Sequence, residues 1–175
     1  MASAGSSRGG SFGDALRTTA LMGALLLGAL LVGQLVTMTP DRPERRVDLA
    51  DAVAGAEAAA TFDVVAPRAL PRGWIANSVR SGPDRWHLGV LTPDDRYIGL
   101  EQATVSAPGI VDDFAPKSRV TGIVELAGAT WQVRAESDGD RVYVRDFGET
   151  SVLVIGSAKR ADVERYVASL ESREN

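Results

Sequence analysis

His87 is the only histidine in this 175-residue chain, and cysteine is absent. These two counts bound the chemistry. Without thiols there is no zinc–thiolate site, no cysteine nucleophile and no disulfide framework. A hydrolytic triad needs a base beside an activated serine, and no G-x-S-x-G elbow accompanies His87. A serine–lysine pair fails too, because neither Lys117 nor Lys159 has a serine three residues before it. In strand register His87 lies opposite to Trp86 and Leu88, alongside Arg85, and reads as a solvent-facing or hydrogen-bonded strand residue. The acidic pairs Asp94-Asp95, Asp112-Asp113 and Asp138/Asp140 match no calcium loop and fall where turns are ordinarily rich in aspartate. No glycine-rich phosphate motif of either common kind is present. The sequence therefore predicts a non-enzyme, with no catalytic, cofactor-binding or metal-binding residue.

What remains is binding. Trp86 and Trp131 read as core packing, whereas Trp74 follows a turn and is a candidate for a lipid or glycan surface. Phe114 sits in the Pro- and Gly-broken stretch from Ser106 to Ser118, read as a loop with one helical turn that Phe114 anchors to the core. Together with His87 these form the candidate ligand or partner surface. A net charge of -4 argues against nucleic acid, because phosphate contacts need clustered Lys and Arg.

The elements that must position these residues start with Thr18 to Thr39, 22 positions without a charge. As a helix this run spans about 33 Å, enough for a hydrocarbon core of about 30 Å. The pattern predicts a cytoplasmic disordered tail over 1–17, a single transmembrane helix over 18–39, a stalk or first helix over 40–60, and an extracytoplasmic domain over 61–175. The run is too long, and its exit into Pro40 unsuited, for a cleaved signal peptide. Flanking arginines lie on both sides of it, so the orientation with the N-terminus inside follows from the translocation habit of long domains rather than from charge. Ala20, Ala24 and Gly28 share one face, the small-residue spacing that lets two such helices pair into a homodimer.

Beyond the span, Val47 to Ala60 reads as a helix with Val47, Ala50, Ala54 and Ala58 near one face and Val53 beside them. Strands follow at Phe62–Val65 and Ile75–Arg80. A hairpin then places Trp86, Leu88 and Val90 against Ile98 and Leu100, across a turn at Thr92–Arg96. Four more strands occupy 119–126, 130–136, 141–145 and 150–156. Val152-Leu153-Val154-Ile155 is apolar on both faces and predicts a central strand. A terminal helix from about Ala161, fraying by Arg173, carries Val163, Tyr166, Val167 and Leu170 on one stripe. The fold class expected is α+β: a largely antiparallel sheet of about seven strands in meander order, with the C-terminal helix packed on one face.

The string Val64-Val65-Ala66-Pro67, Leu70-Pro71-Arg72-Gly73-Trp74, Trp86 to Pro93, Tyr97 to Gln102, Gly128-Ala129-Thr130-Trp131 and Val154-Ile155-Gly156-Ser157, behind an uncharged helix, resembles the actinobacterial single-pass membrane proteins grouped as domain of unknown function 4245. The resemblance implies an envelope protein of a high-GC Gram-positive bacterium and brings no catalytic residues. Asp95 departs from it, standing where the turn favours glycine. On these grounds the expected function is a non-catalytic binding or assembly module of the cell envelope, integral to the membrane and partnered by an envelope protein or lipid. A lipid or glycan binder is the alternative. An envelope hydrolase is a third reading, and it needs a pocket gathering His87 with at least two acidic residues.

Overall fold

Alternating apolar residues over short runs dictate strands with one face turned to a core, and the chain obeys this from Val64 onward. The computed structural model describes residues 46–173. The predicted tail, the span 18–39 with its Ala20, Ala24 and Gly28 face, and the first part of the predicted stalk lie outside the described residues. Among the described residues no helix is long and apolar enough to cross a membrane.

The first described helix, α1 (Leu49–Ala59), starts where Asp48 accepts hydrogen bonds from the backbone N–H groups of Ala50 and Asp51, at 2.8 and 3.1 Å. Strands β1 (Val64–Pro67), β2 (Ile75–Ser81), β3 (Arg85–Leu91) and β4 (Tyr97–Ala103) follow, then helix α2 (Ala107–Phe114). The chain continues through β5 (Arg119–Leu126), β6 (Ala129–Ala135), β7 (Arg141–Phe147), β8 (Thr150–Gly156), helix α3 (Arg160–Ala168) and β9 (Leu170–Arg173). The fold is α+β, built on a seven-stranded antiparallel sheet in the order β2-β3-β4-β8-β7-β6-β5.

That order corrects the single meander expected from the sequence. Strands β2 to β4 form one meander and β5 to β8 another, and they join where β4 pairs with β8, Ile98 opposite Gly156 and Ala103 opposite Ser151. Local patterning reveals hairpin neighbours, but it carries no information on which strand receives β4 after the helical crossover.

One sheet face packs its apolar side chains, among them Trp86, Leu88, Val90, Ile98, Leu100, Val152 and Val154, against α1, α3 and β1. The opposite face packs Ala103, Val142, Val144 and Leu153 against Ile110 and Val111 of α2. Strand β8 is thus covered on both sides, as its two apolar faces require.

Four further expectations need correction. The stretch 107–114 is a two-turn helix rather than a loop, because Pro108 falls in its first turn, where no N–H is missed, and Ile110 and Val111 are buried beneath it. The strand placed at Phe62–Val65 runs from Val64 to Pro67 and leaves the main sheet to pair with β9, Val64 opposite Arg173. The terminal helix stops at Ala168, so only Val163, Tyr166 and Val167 of its stripe are helical and Leu170 opens β9. Helix α1 buries Ala52, Val53 and Ala56 instead of Ala50, Ala54 and Ala58, since a run of alanines offers no contrast from which to choose a face.

The turn between β3 and β4 resolves the departure at Asp95. Its φ is 55°, the left-handed conformation glycine would adopt freely, and its N–H donates to the Thr92 carbonyl at 3.0 Å.

Strand β1 is seated by side chains of the large sheet. Val65 donates its N–H to Gln102 Oε1 at 2.8 Å, and its carbonyl accepts from Trp86 Nε1 at 3.0 Å. Gln102 Nε2 donates in turn to the Asp63 carbonyl at 3.0 Å and to Thr150 Oγ1 at 2.9 Å. Replacing the amide leaves the buried Val65 N–H without its acceptor. Gln102→Leu is therefore expected to lower unfolding free energy by about 2–4 kcal/mol, read as a shifted midpoint in urea with little change in slope.

Candidate functional site

Strands β2, β3 and β4 bring four polar side chains onto the sheet face that α2 partly covers. Register does the work: Arg80 lies opposite His87, His87 opposite Glu101, and Ser78 opposite Gly89. His87 Nδ1 and Glu101 Oε1 are 2.6 Å apart, and His87 Nε2 is 3.1 Å from Ser78 Oγ and 3.4 Å from the Tyr97 hydroxyl. An ionised carboxylate only accepts, so the ring proton belongs on Nδ1 and a neutral ring presents Nε2 as an acceptor to the serine hydroxyl. Both His87 and Glu101 are buried, at 5% and 8% exposure. Ser78, Asn77 and Tyr97 are half-buried along the outer strands of the cluster.

Two glycines make the room. Gly89 and Gly99 face each other in the β3–β4 pair. A Cβ at Gly89 would fall onto Ser78 Oγ and within 2.9 Å of both Asn77 Oδ1 and the Tyr97 hydroxyl. At Gly99 it would meet the Tyr97 ring at 3.0 Å. A bulge between Ala76 and Ser78 re-aims β2 here, adding Asn77 to the cluster. Burial holds the Tyr97 hydroxyl above the ordinary tyrosine range; its hydrogen bond with Ser78 opposes that shift, and the Glu101 charge adds to it.

Beside this cluster lies a hollow of about 250 Å³, lined by Arg80, Ser81, Gly82, Arg85, Trp86, His87, Glu101 and Phe114. Arg85 reaches Asp84 at 3.7 Å and Asp113 at 4.0 Å, tying the β2–β3 turn to α2. Phe114, the last residue of α2, packs against the smaller core cluster and closes the hollow's apolar side.

The residues proposed from sequence fare differently. His87 and Phe114 are brought to one hollow. Trp74 is not: it is 8% exposed and stacks on Tyr166 with ring centroids 6.5 Å apart, part of the larger core. Trp86 and Trp131 are buried, as their strand positions predict. Ser78, Asn77, Arg80, Tyr97 and Glu101 escaped sequence reasoning, although a hairpin turning at Thr92–Arg96 sets Leu88 against Leu100 and therefore His87 against Glu101. Among the described residues no group of three or more metal-ligating side chains converges.

Gly89→Ala drives a methyl into the cluster and is expected to cost about 1–3 kcal/mol in thermal or urea unfolding. Gly122→Ala, with nothing within 4 Å of its added carbon, is the control and should change stability by less than about 0.5 kcal/mol.

No curated protein and no solved structure matches the chain. A family model does match, over residues 14–170, nearly the whole length. The chain belongs to the family described as protein of unknown function (DUF4245).

Proposed function

We propose that this chain is a membrane-anchored, extracytoplasmic binding module of the cell envelope, and that its ligand site is the hollow over His87 and Glu101. The hollow carries the reading: it is a preformed concavity beside α2, with an aromatic wall at Phe114 and two arginines on its lining. Membrane anchoring is supported by the uncharged run Thr18–Thr39. An actinobacterial envelope setting is supported by the motif resemblance alone.

A lipid or glycan ligand is favoured over a protein partner by one observation. The apolar cleft that such a ligand needs lies beside the 106–118 segment, formed by Phe114 rather than by Trp74. The hydrolase that pairs two carboxylates around a histidine has less support, since the hollow brings one carboxylate, Glu101, to His87.

Topology is checked with a phosphatase reporter fused after Asn175. Activity outside the cytoplasmic membrane is expected, and a reporter active only in the cytoplasm overturns the localisation. The ligand site is checked by placing a benzophenone amino acid at Phe114 or at Ile123, which is 73% exposed on edge strand β5. Ultraviolet irradiation of intact cells should yield an adduct from position 114 and none from 123. A lipid- or glycan-sized mass supports the favoured ligand, a protein-sized mass transfers the reading to a partner, and identical patterns from both positions sink the hollow as a site.

A further inference from the structure

We propose that Ser78 is a nucleophile, activated by His87 and oriented through Glu101, and that this cluster transfers the acyl group of a small carboxylic ester to water. The order Ser78 Oγ, His87 Nε2, His87 Nδ1, Glu101 Oε1, at 3.1 and 2.6 Å, is the order of nucleophile, base and base-orienting carboxylate. Three neighbouring strands supply the three groups, so the arrangement is held by backbone register rather than by mobile loops.

Fold stability does not call for these groups. The same row of the sheet continues with Leu153 and Val144 on the next two strands, where an apolar pair is buried without the cost of burying a histidine beside a carboxylate. The glycine at 89 and the bulge at Asn77 are the concessions that let the serine approach the ring.

One donor for a developing oxyanion, the Tyr97 hydroxyl, is beside Ser78, and Asn77 can supply a second. The Tyr97 hydroxyl and Asn77 Oδ1 both lie within 2.9 Å of the point over Gly89 that Ser78 Oγ occupies. Ser78 Oγ donates to Asn77 Oδ1 at 3.3 Å; a half-turn of that amide presents its NH₂ instead and frees the serine proton for His87 Nε2. Tyrosine and asparagine side chains are both established donors to tetrahedral intermediates of acyl transfer. Strand β2 is an outer strand of the sheet, and Ser78, Asn77 and Tyr97 are half-buried rather than sealed.

The chemistry balances without a cofactor. Ser78 Oγ bonds to the ester carbon while its proton passes to His87 Nε2, and the carbonyl electron pair moves onto oxygen beside Tyr97 and Asn77. Collapse breaks the bond to the alcohol oxygen, which leaves with the proton from Nε2 as the free alcohol. Water then adds to the acyl-serine, giving its proton to Nε2, and the carboxylic acid departs as Ser78 regains its hydrogen. The hollow of about 250 Å³ is lined by His87 and Glu101 and not by Ser78, Asn77 or Tyr97, so it adjoins the serine and has room for a short acyl or alcohol group of the ester and no long chain. For its substrate this proposal rests on the hollow being the ligand site, but the activated serine does not.

The full chain in detergent is treated with a fluorophosphonate, which reports an activated serine whether or not the hollow recognises it. A mass adduct on the peptide carrying Ser78 is expected, together with hydrolysis of p-nitrophenyl acetate; Ser78→Ala should abolish both. Glu101→Gln, acting through His87, should lower kcat by about 10²–10⁴-fold with KM within about twofold. Ser78→Cys gives the protein its only thiol. Beside His87 that thiol should react with iodoacetamide at pH 7 at least about tenfold faster than free cysteine. A folded wild-type protein without the adduct, hydrolysis that survives Ser78→Ala, or a Ser78→Cys variant alkylated at the free-cysteine rate each overturns the proposal. Labelling at Ser78 without ester turnover keeps the nucleophile and removes the hollow as its substrate site.

Discussion

The peptide group of Val65 has to be satisfied away from water, and no strand of the large sheet runs beside it to do so. Gln102 and Trp86 meet that demand with side chains instead of backbone. The layer made by β1 and β9 is positioned through this contact, and with it the packing of Phe62, Ala66 and Tyr166 in the larger core. Neighbouring residues of β4 divide the labour. Gln102 points to one face and holds the fold together, while Glu101 points to the other and orders His87.

That division explains the character of the two faces. Under β1, α1 and α3 the sheet is largely apolar, with Gln102 buried among its side chains. On the opposite face the apolar side of α2 packs on β4, β8 and β7, and the β2–β3 side carries polar groups that hydrogen-bond one another. A buried polar network is costly when any member lacks a partner, and here each member has one. The one buried side-chain polar atom without a partner among the described residues is the Tyr166 hydroxyl, in the other core.

Much of the fold was legible from pattern alone. The β3–β4 hairpin, the central place of β8, and the stripe of Val163, Tyr166 and Val167 all follow from period and apolarity. What pattern could not supply was long-range pairing: β4 with β8, and β1 with β9. Helix α2 was missed because two turns flanked by prolines have little intrinsic helicity and depend on burial of Ile110 and Val111. The site was half legible. The predicted hairpin makes β3 and β4 neighbours, from which His87 opposite Glu101 could be worked out though it was not. Ser78 arrives instead through a bulge, and a bulge shifts register by a residue that no periodicity announces. Trp74 misled because a tryptophan after a turn looks exposed until the helix that stacks on it is known.

The pairing of β1 with β9 also orders events in time. Arg68 and Glu171, which meet at 3.0 Å beside this pair, are 103 residues apart in the chain. The two meanders close over short loops and fold from local contacts, whereas the β1–β9 pair must wait until synthesis has passed the whole large sheet. Until then Val64, Val65 and Ala66 have Gln102 and Trp86 to rest on but no strand beside them. An emerging chain thus carries an apolar strand with one open edge through most of its synthesis, the segment a chaperone or a neighbouring nascent chain would grip first.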